Sequence, residues 1–433
     1  MENKCFEPQL ECMARKELER LQLKKLKATI ASVYDSVPFY RKKLVSLGLK
    51  PSDINSLKDI QKIPFTTKDD LRENYPFGLS TIPANHLSII HTTTGTTGVP
   101  VPIPNSTLDI QSWSRQIARC LTAAGITKGD IFQITPAFGL FTGGFGFYYG
   151  AKLLEVTVLP TGTGSSRRQI QLMLDFGVTS AVAISSYWLR LAEVAFEMGI
   201  DPAKDTKVRK GIAGSEMWTY EMRERITKIW DADIHNVYGI SELCGPGVGV
   251  DCDVHEGIHL FEDNYLVEVI DPKTGEVLGP EEEGELVFTT LERHAMPLLR
   301  YRSRDLTFMY DTYECECGRT FCRVEWIKGR SDDMLKISGV NVWPSEVENV
   351  LLRHKDLGPE YQLIVSKVGP LDHLKVVIES EEKLSENGKR EIARELVEEL
   401  REVLLITPEV ELVKQGALPR DDTRKAKRII DRR

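Results

Sequence analysis

His91-Thr-Thr-Thr-Gly-Thr-Thr-Gly-Val-Pro100 is a polar stretch between two apolar segments, and it anchors our interpretation of the whole chain. The apolar run before it, 87–90, predicts a strand, and the two prolines after it, Pro102 and Pro104, disfavour a helix. Such a loop exposes N–H and hydroxyl donors, and its glycines let the backbone approach a ligand closely. It is not a Walker loop, because no Gly-Lys-Ser/Thr follows at the required spacing. The stretch therefore predicts either a phosphate-binding loop or a polar hairpin.

Composition limits the classes of protein to which the chain can belong. Its 433 residues are 41% apolar and 28% charged, which is typical of a globular protein with two or more domains. A net charge of −8 argues against nucleic acid or an anionic membrane as a partner. We find neither a membrane-spanning apolar run nor a signal-peptide pattern and expect a cytoplasmic protein. In that compartment its eight cysteines favour thiols or metal ligands over disulfides.

Hydrophobic periodicity changes along the chain and predicts its organisation. Residues 14–45 have a helical pattern with one apolar face formed by Leu18, Leu21, Leu26, Ile30 and Val33, and Thr67 is predicted to cap a second helix. Apolar runs then alternate with amphipathic patterns, which predicts α/β layers with mostly parallel strands. The candidate strands are 131–134, 156–159, 181–184, 208–212 and 234–237, and the candidate helices are 106–124, 167–176, 187–198 and 219–230.

Residues 260–311 show alternating β patterns, which predict an antiparallel or barrel-like subdomain. A different, compact α+β pattern begins after Arg330. We therefore predict a large N-terminal domain over 1–330, with its β-rich subdomain at about 250–330, and a small mobile α+β domain over 331–433.

Several short segments carry charged side chains at predicted strand ends or loops. Tyr238-Gly-Ile-Ser-Glu242 follows a candidate strand, and a carboxylate there suits a hydrated Mg²⁺ ion. Tyr301-Arg-Ser-Arg-Asp305 offers a second carboxylate, which could accept two hydrogen bonds from a ribose. The segment 418–428 presents a cluster of cations. Taken singly, each segment is more typical of a structural feature: the first of a turn with a helix cap, the second of a structural ion pair and the third of a solvated face.

Together and in this order, the segments resemble the adenylate-forming superfamily of acyl-CoA synthetases, adenylation domains and luciferases. The resemblance is greatest to phenylacetate–CoA ligases and covers the chain from about residue 31 to its end. It rests on five markers: Ile63-Pro-Phe-Thr-Thr-Lys-Asp-Asp-Leu71, Gly139-Leu-Phe-Thr-Gly-Gly144, Tyr238-Gly-Ile-Ser-Glu242, Tyr301-Arg-Ser-Arg-Asp-Leu306, and Gly329-Arg-Ser-Asp-Asp-Met-Leu335 with Gly339-Val-Asn-Val-Trp-Pro344.

The resemblance implies a nucleotide site. The threonine-rich loop would hold the β- and γ-phosphates of ATP, residues 214–218 and Tyr238 would contact the adenine, and Asp305, supported by Arg330, would bind the ribose. Glu242 would bind Mg²⁺, and Ser241 beside it would help to form the nucleotide site as a structural residue rather than act as a nucleophile. The predicted nucleotide-binding residues are Thr93, Thr94, Gly95, Thr96, Thr97, Gly98, Gly214, Ser215, Glu216, Tyr238, Gly239, Ser241, Asp305 and Arg330.

The resemblance also implies a hinge at Asp332 and a catalytic lysine, Lys425, that bridges the substrate carboxylate and the α-phosphate. The chain departs from the family pattern in two places. Val101 replaces a lysine that follows the phosphate loop in many relatives, and Arg424 replaces the glycine of the family's Gly-Lys pair. Lys427 is therefore a competing candidate for the catalytic lysine.

The implied reaction is that of an acid–thiol ligase. A carboxylate and ATP would give an acyl-adenylate and pyrophosphate, and coenzyme A would then give the acyl-CoA and AMP. Aromatic and glycine residues suit a flat aryl acid, with phenylacetate the first choice and indoleacetate or another aryl acid open. The predicted pocket residues are Phe138, Phe141, Gly143, Gly144 and Pro246.

Two other functions are consistent with the sequence. One is an adenylating enzyme that loads a carrier protein, and the other is a nucleotide-binding regulatory protein without catalysis, supported only by Val101 and Arg424. Many relatives form homodimers, so a homodimer is expected by analogy alone.

Cysteine and histidine spacing predicts a metal site. Cys315-Glu-Cys-Gly-Arg319 places two thiols one residue apart, and three Cys with one His is a common structural zinc set. Free thiols are the alternative. Some phenylacetate-ligase relatives have a similar arrangement, which implies a Zn²⁺ site made of Cys252, His259, Cys315 and Cys317. It favours His259 over His255, and Cys322 and Cys244 remain alternative ligands.

Overall fold

A computed structural model describes residues 5–93, 100–331, 335–337, 340–354, 356–368, 371–380, 384–419 and 428–433. Its helices are α1 Pro8–Glu11, α2 Arg15–Ser36, α3 Pro38–Ser46, α4 Lys68–Glu73, α5 Thr107–Ala123, α6 Gly143–Leu153, α7 Ser166–Asp175, α8 Ser185–Glu197, α9 Pro202–Asp205, α10 Tyr220–Trp230, α11 Pro344–Arg353 and α12 Glu386–Leu404.

The strands are β1 Ile89–Thr92, β2 Pro102–Asn105, β3 Ile131–Ile134, β4 Thr157–Leu159, β5 Ser180–Val182, β6 Lys210–Gly214, β7 Asp233–Ile240, β8 Gly245–Val250, β9 Ile258–Leu260, β10 Tyr265–Ile270, β11 Gly284–Thr290, β12 Tyr301–Thr307, β13 Arg323–Val324, β14 Gly329–Arg330, β15 Leu335–Ile337, β16 Val340–Val342, β17 Leu357–Val368, β18 Leu371–Ser380, β19 Glu409–Lys414 and β20 Ile429–Asp431. The predicted strand at 208–212 begins two residues later than expected, and the other predicted strands and helices in this part of the chain agree within two or three residues.

The first helical segment is broken, which corrects the prediction of one continuous helix over 14–45. Val37 has extended dihedrals, φ −114° and ψ 103°, and separates α2 from α3. Pro38 is the cause, because proline lacks an N–H and disfavours a helical residue before it. On the apolar face Leu21 is only half-buried, and Gln22 is buried instead and donates to the Glu262 carbonyl at 2.9 Å.

An eight-stranded sheet forms the frame of the larger part of the chain, in the order β13-β9-β8-β7-β6-β5-β3-β4. Neighbouring strands from β7 to β4 are parallel, which confirms the predicted α/β class. The sequence did not predict that β8, β9 and β13 would extend this sheet in antiparallel pairing. Strand β7 therefore has a parallel neighbour on one side and an antiparallel neighbour on the other.

A second sheet, in the order β10-β11-β12-β14, is antiparallel throughout. It confirms the antiparallel pattern predicted for residues 260–311. The pairing of β12 with β14 places Asp305 opposite Arg330. This register brings together two side chains from segments that are 25 residues apart.

The buried apolar residues form two separate cores. The first includes residues from Leu18 to Trp326, and the second includes residues from Leu335 to Leu404. The second core lies under the sheet β19-β18-β17-β20 with α11 and α12. The domain boundary near residue 330 and the hinge at Asp332 stay predictions, because Asp332 lies outside the described residues. Among the described helices, none combines the length and the apolar character needed to cross a bilayer.

The start of the chain is fixed by ion pairs to residues far along the sequence. The buried carboxylate of Glu11 accepts from Nε of buried Arg319 at 2.9 Å, and the Glu11 carbonyl accepts from Thr320 N at 3.0 Å. Arg119 on α5 pairs with Asp263 at 2.7 Å and also contacts Glu7. These contacts attach the first helix to the loop that carries Cys315 and Cys317.

Candidate active site

Tyr238 lies near the carboxyl end of β7 and contacts the second sheet. Its buried hydroxyl donates to Oδ2 of Asp305 at 2.6 Å, and Nη1 of Arg330 lies 3.4 Å from Oδ1 of the same carboxylate. Burial, together with the neighbouring Asp305 charge, raises the pKa of Tyr238 well above its usual value. Tyr238 therefore remains a hydrogen-bond donor at neutral pH. The structure brings these three predicted nucleotide-binding residues together.

Glu242 follows β7 in the turn before β8, and only 6% of the residue is exposed. Nζ of Lys68 lies 3.2 Å from its carboxylate. The hydroxyl of Tyr301 also hydrogen-bonds to it, and burial together with the Glu242 charge raises the pKa of that phenol well above normal. Lys68, the cation next to the Glu242 carboxylate, is partly exposed, so another positively charged group could replace it there.

Lys68 was missed in the sequence analysis. It is the first residue of α4, and its backbone position is fixed by a capping box: Thr67 N donates to the Asp70 carboxylate at 2.8 Å, and Asp70 N donates to the Thr67 hydroxyl at 3.3 Å. Thr66 forms an isolated β-bridge with Tyr301, whose hydroxyl hydrogen-bonds to Glu242, and this bridge places α4 beside Glu242. The available signal was the cation directly after a predicted helix cap in the segment 63–71.

Two predicted nucleotide-site glycines allow close packing of backbone. A Cβ on Gly214 would lie 2.4 Å from the Val237 carbonyl oxygen, and one on Gly239 would lie 2.1 Å from the Gly245 carbonyl oxygen. Any side chain at either position would therefore displace β7 or a neighbouring strand.

The segment after β6 turns sharply at Ser215, which has φ 66°. Its neighbour Glu216 accepts from Ser186 N at 3.2 Å and from the Ser186 hydroxyl at 2.9 Å. The Glu216 carboxylate is therefore bound at the first turn of α8. Ser241 lies in the turn after β7, next to Glu242.

Thr93 closes the base of the threonine-rich loop. Its N–H donates to the Val101 carbonyl at 3.0 Å, and its hydroxyl accepts from Val101 N at 3.0 Å. Val101 is buried, so the residue at the position of the family lysine packs into the core. The other predicted residues of this loop, the hinge and the catalytic lysine lie outside the described residues: Thr94, Gly95, Thr96, Thr97, Gly98, Asp332 and Lys425.

The predicted acid pocket lies in an aromatic cluster. Phe138 and Phe145 have ring centroids 5.4 Å apart, and buried His91 lies 5.4 Å from Phe145. Burial lowers the pKa of His91, which favours the neutral imidazole. The carbonyl of Pro246 accepts from Trp113 Nε1 at 2.8 Å. Phe138 and Pro246 are thus part of one packed group.

The space that a side chain would need at the glycines of this region is occupied by other protein atoms. A Cβ on Gly143 would lie 2.9 Å from the ring of Phe141, and one on Gly144 would lie 2.7 Å from the Ala137 carbonyl oxygen. Both glycines therefore let α6 pack against the preceding loop. The assignment of Phe138, Phe141, Gly143, Gly144 and Pro246 to substrate binding stays a prediction.

Cys252, His259, Cys315 and Cys317 converge, with one possible ligand atom from each lying within 4.8 Å of the others. We call this group the Cys/His tetrad. Sγ of Cys252 is 3.6 Å from Sγ of Cys315, and Sγ of Cys317 is 3.4 Å from Nε2 of His259. Nδ1 of His259 lies 3.3 Å from the Phe321 carbonyl, which leaves Nε2 directed at the thiols. Hydrogen bonds from Cys252 and Cys315 hold the pKa of Cys317 well below its usual value.

The alternative ligands lie elsewhere. His255 is bound by the carboxylates of Asp233 and Asp251 rather than by thiols. Burial alone would lower the pKa of the neighbouring His235, but the same two carboxylates outweigh burial and raise it to about 9. Cys244 contacts the Tyr265 hydroxyl at 3.3 Å, and Cys322 N donates to Glu262 at 2.6 Å. The geometry therefore selects His259 from the two candidate histidines.

Residues 17–291 match the family of AMP-binding enzymes, and residues 339–433 match the C-terminal domain of AMP-binding enzymes. The chain belongs to the AMP-binding enzyme family. It is 40% identical to a phenylacetate-coenzyme A ligase of Aromatoleum evansii, over 98% of this chain and 96% of that protein. It is 39% identical to the ligase of the same name from Thermus thermophilus, over 99% of both chains. These matches confirm the family resemblance seen in the sequence.

Solved structures of this AMP-binding family have the same architecture. The chain superposes with a TM-score of 0.91 on 2-hydroxyisobutyryl-CoA ligase in the postadenylation state with 2-HIB-AMP, at 27% identity over 98% of this chain and 92% of that one. For the same ligase with 2-HIB-AMP and CoA in the thioesterification state, the TM-score is 0.74 at 28% identity, over 99% and 92%. This AMP-binding enzyme is therefore more similar in structure to that ligase in the postadenylation state than in the thioesterification state.

Proposed function

We propose that the protein is an AMP-forming acid–thiol ligase that converts phenylacetate, ATP and coenzyme A into phenylacetyl-CoA, AMP and pyrophosphate. The observation that carries this proposal is the meeting of Tyr238, Asp305 and Arg330 beside Glu242, within a chain that matches both parts of the AMP-binding family. Full-length similarity to phenylacetate-coenzyme A ligases supports the choice of acid.

The first half-reaction joins the acid to AMP. One oxygen of the substrate carboxylate attacks the α-phosphorus of ATP, and the bond to the bridging oxygen breaks to release pyrophosphate. Asp305 would position the ribose by accepting its hydroxyl hydrogens, and Tyr238 would hold Asp305 in place. Developing negative charge on the phosphoryl oxygens requires positioned positive groups rather than a protein nucleophile.

Glu242 is a suitable ligand for Mg²⁺, because a largely buried carboxylate at a strand end offers hard oxygen atoms. Bound there, Mg²⁺ would neutralise phosphate charge. Lys68 would then exchange its contact with Glu242 for a phosphate oxygen.

The second half-reaction transfers the acyl group to sulfur. The CoA thiolate attacks the acyl carbonyl, and the bond to the AMP oxygen breaks. Lys425 would have to leave before the thiol enters, which a rotation of the small domain about Asp332 would achieve. The two TM-scores against one ligase in two states support an arrangement that precedes this rotation.

The proposal is tested by the two half-reactions measured separately. Acid-dependent ATP–pyrophosphate exchange reports adenylation, and thioester formation from synthetic phenylacetyl-AMP and CoA reports transfer. We expect phenylacetate to exceed indoleacetate, and both to exceed aliphatic acids, in kcat/KM. Exchange without thioester formation would favour transfer to a carrier protein, and the absence of exchange with every acid would favour a regulatory protein.

The choice between Lys425 and Lys427 is tested in the same assays. Lys425→Ala is expected to lower pyrophosphate exchange by about 100-fold or more while thioester formation from the synthetic adenylate is retained. Lys427→Ala is the matched control, two residues away and of equal charge change. The opposite result would assign the catalytic role to Lys427.

We also propose that the Cys/His tetrad binds a structural Zn²⁺ ion. Three thiols and one imidazole are a suitable donor set, and with four protein ligands no position remains for a substrate. The ion would attach the segment 315–319 to the loop before β9 and would take no part in the transfer. A cytoplasmic location and a homodimer stay predictions, which fractionation and light scattering would test.

A further inference from the structure

Two histidines and two aspartates form a closed group at the amino end of β7, and nothing in the proposed reaction uses them. We call Asp233, His235, Asp251 and His255 the His/Asp quartet. Oδ2 of Asp233 lies 3.1 Å from Nε2 of His235, and Oδ1 of Asp233 lies 3.1 Å from Nε2 of His255. The two imidazole centroids are 4.8 Å apart. Both rings thus direct the same nitrogen at one carboxylate.

Asp251 fixes this orientation from the other side. Its carboxylate is fully buried, and its two oxygens lie 3.2 Å from Nδ1 of His235 and 3.0 Å from Nδ1 of His255. Asn236 N also donates to Asp251 at 2.8 Å, so the carboxylate cannot turn freely. With Nδ1–H donated to a carboxylate, an imidazole presents Nε2 as its ligand atom. One buried aspartate therefore orients both imidazoles.

We propose that Asp233, His235 and His255 bind a divalent transition-metal ion, of the class of Zn²⁺, separate from the ion of the Cys/His tetrad. The three ligand atoms lie within 4.8 Å of one another. Two imidazole nitrogens and one carboxylate oxygen form a common ligand set for Zn²⁺ and other borderline metals. Asp251 supplies the outer carboxylate that such histidine ligands generally have.

Charge and access both fit a cation. Asp233 and Asp251 contribute two negative charges, so a divalent ion that replaces the protons on the two Nε2 atoms leaves the quartet neutral. Arg223 also contacts Oδ1 of Asp233 at 2.9 Å and opposes binding, but the other oxygen remains directed at His235. The Asp233 side chain is 45% exposed, which gives an ion a route from solvent. The remaining coordination positions would be filled by water.

Location indicates what the ion would do. His235 is on β7, whose other end carries Tyr238, and His255 is in the loop between Cys252 and His259 of the tetrad. The His255 N–H donates to the Cys252 carbonyl at 2.9 Å. An ion in the quartet would attach this loop to the central sheet, independently of the tetrad.

The test is zinc stoichiometry in the full chain. Protein stripped with a chelator is dialysed against Zn²⁺, and bound metal is measured by mass spectrometry. We expect about two ions per chain, and about one in Asp233→Asn and in His255→Gln. Asp201→Asn, which removes another partly exposed, ion-paired carboxylate, is the control and should retain two.

X-ray absorption then distinguishes the two sites. In the unmodified protein, Zn–S contacts at roughly 2.3 Å should average about 1.5 per zinc, because only the tetrad has sulfur. In Asp233→Asn the average should rise to about three. Saturation of the unmodified chain at one ion, or two ions retained in both quartet variants, would overturn the proposal. Neither measurement depends on ligase activity.

Discussion

Strand β7 carries a polar group near each end, and the two groups are paired differently. Beyond its carboxyl end, Glu242 pairs with Lys68 at 3.2 Å, and Asp305 on the second sheet pairs with Arg330 at 3.4 Å. Both cationic side chains are more than a third exposed. At its amino end, the quartet histidines lie between two carboxylates that bind them from both sides. Where β7 meets the second sheet, each carboxylate is thus paired with a partly exposed cation that a ligand could replace. Where β7 meets the tetrad loop, the carboxylates and imidazoles pair with one another.

This difference indicates which substitutions should affect chemistry and which should affect stability. Variants at the carboxyl end remove groups that would exchange a protein partner for a ligand. Variants near the amino end remove groups that take no part in the proposed reaction, so they should affect metal content or stability rather than catalysis. The same strand therefore provides both the experiment and its control.

The largest effect is expected for Asp305→Asn. An amide cannot accept both ribose hydroxyl hydrogens and Tyr238 as a carboxylate can, so kcat/KM for ATP should fall by about 100-fold or more. Pyrophosphate exchange measures this effect. Asp311→Asn, an exposed position in the same region, should match the unmodified enzyme. A fall of less than threefold in Asp305→Asn would remove the ribose assignment.

The second expected effect is on stability. The substitution Cys315→Ser should lower Tm by roughly 5 °C or more, because the loop would lose the metal bonds that attach it to β9. Pyrophosphate exchange at 25 °C should change by less than about threefold. Differential scanning calorimetry measures Tm, and Cys12→Ser, another half-buried thiol, serves as the control. Loss of exchange in a folded Cys315→Ser variant would contradict a purely structural ion.

A smaller effect is expected for Lys68→Met. Loss of the cation beside Glu242 should lower pyrophosphate exchange by about tenfold, and Tm should also fall, because the largely buried Glu242 carboxylate loses its neighbouring cation. Lys62→Met, which breaks an exposed pair with Asp59, should affect neither quantity. If Lys68→Met and Lys62→Met behaved alike, Lys68 would have no role at the site.

The smallest effect is expected for Tyr238→Phe. The substitution removes one hydrogen bond to Asp305 but retains the ring and its packing against Phe288, so KM for ATP should rise by about three- to tenfold. The value of kcat should be retained, because the tyrosine would position Asp305 rather than contact the reacting atoms. An equal loss in kcat would show that Tyr238 acts in the transition state.

The parallel half of the large sheet was predictable from the sequence, because its strands are short apolar runs and most of them alternate with amphipathic helices. The antiparallel extension was not. Strand β8 has the sequence Gly-Pro-Gly-Val-Gly-Val, which lacks alternation and has a composition typical of a loop. It forms a strand because β7 and β9 supply partners on both sides, and such pairing is not encoded in its own composition.

At the candidate site, the sequence motifs identified the residues themselves but not the side chains with which they form hydrogen bonds and ion pairs. Asp305, Tyr238 and Arg330 came from separate markers; the β12–β14 register joins Asp305 to Arg330, and a hydrogen bond between the two sheets joins Tyr238 to Asp305. Lys68 was missed because its partner Glu242 is 174 positions away, and only the fold places α4 beside β7. The roles of the pocket glycines were also not predictable, because an absent side chain can leave space either for a ligand or for a neighbouring ring.

The pairing of Glu11 with Arg319 has consequences for folding during synthesis and for truncation of the chain. The two residues are 308 positions apart, so on a nascent chain leaving the ribosome Glu11 lacks this partner until 308 more residues have been synthesised. Trimming the first dozen residues, a routine step in preparing shorter versions of a protein, would remove the buried carboxylate that pairs with the Arg319 guanidinium.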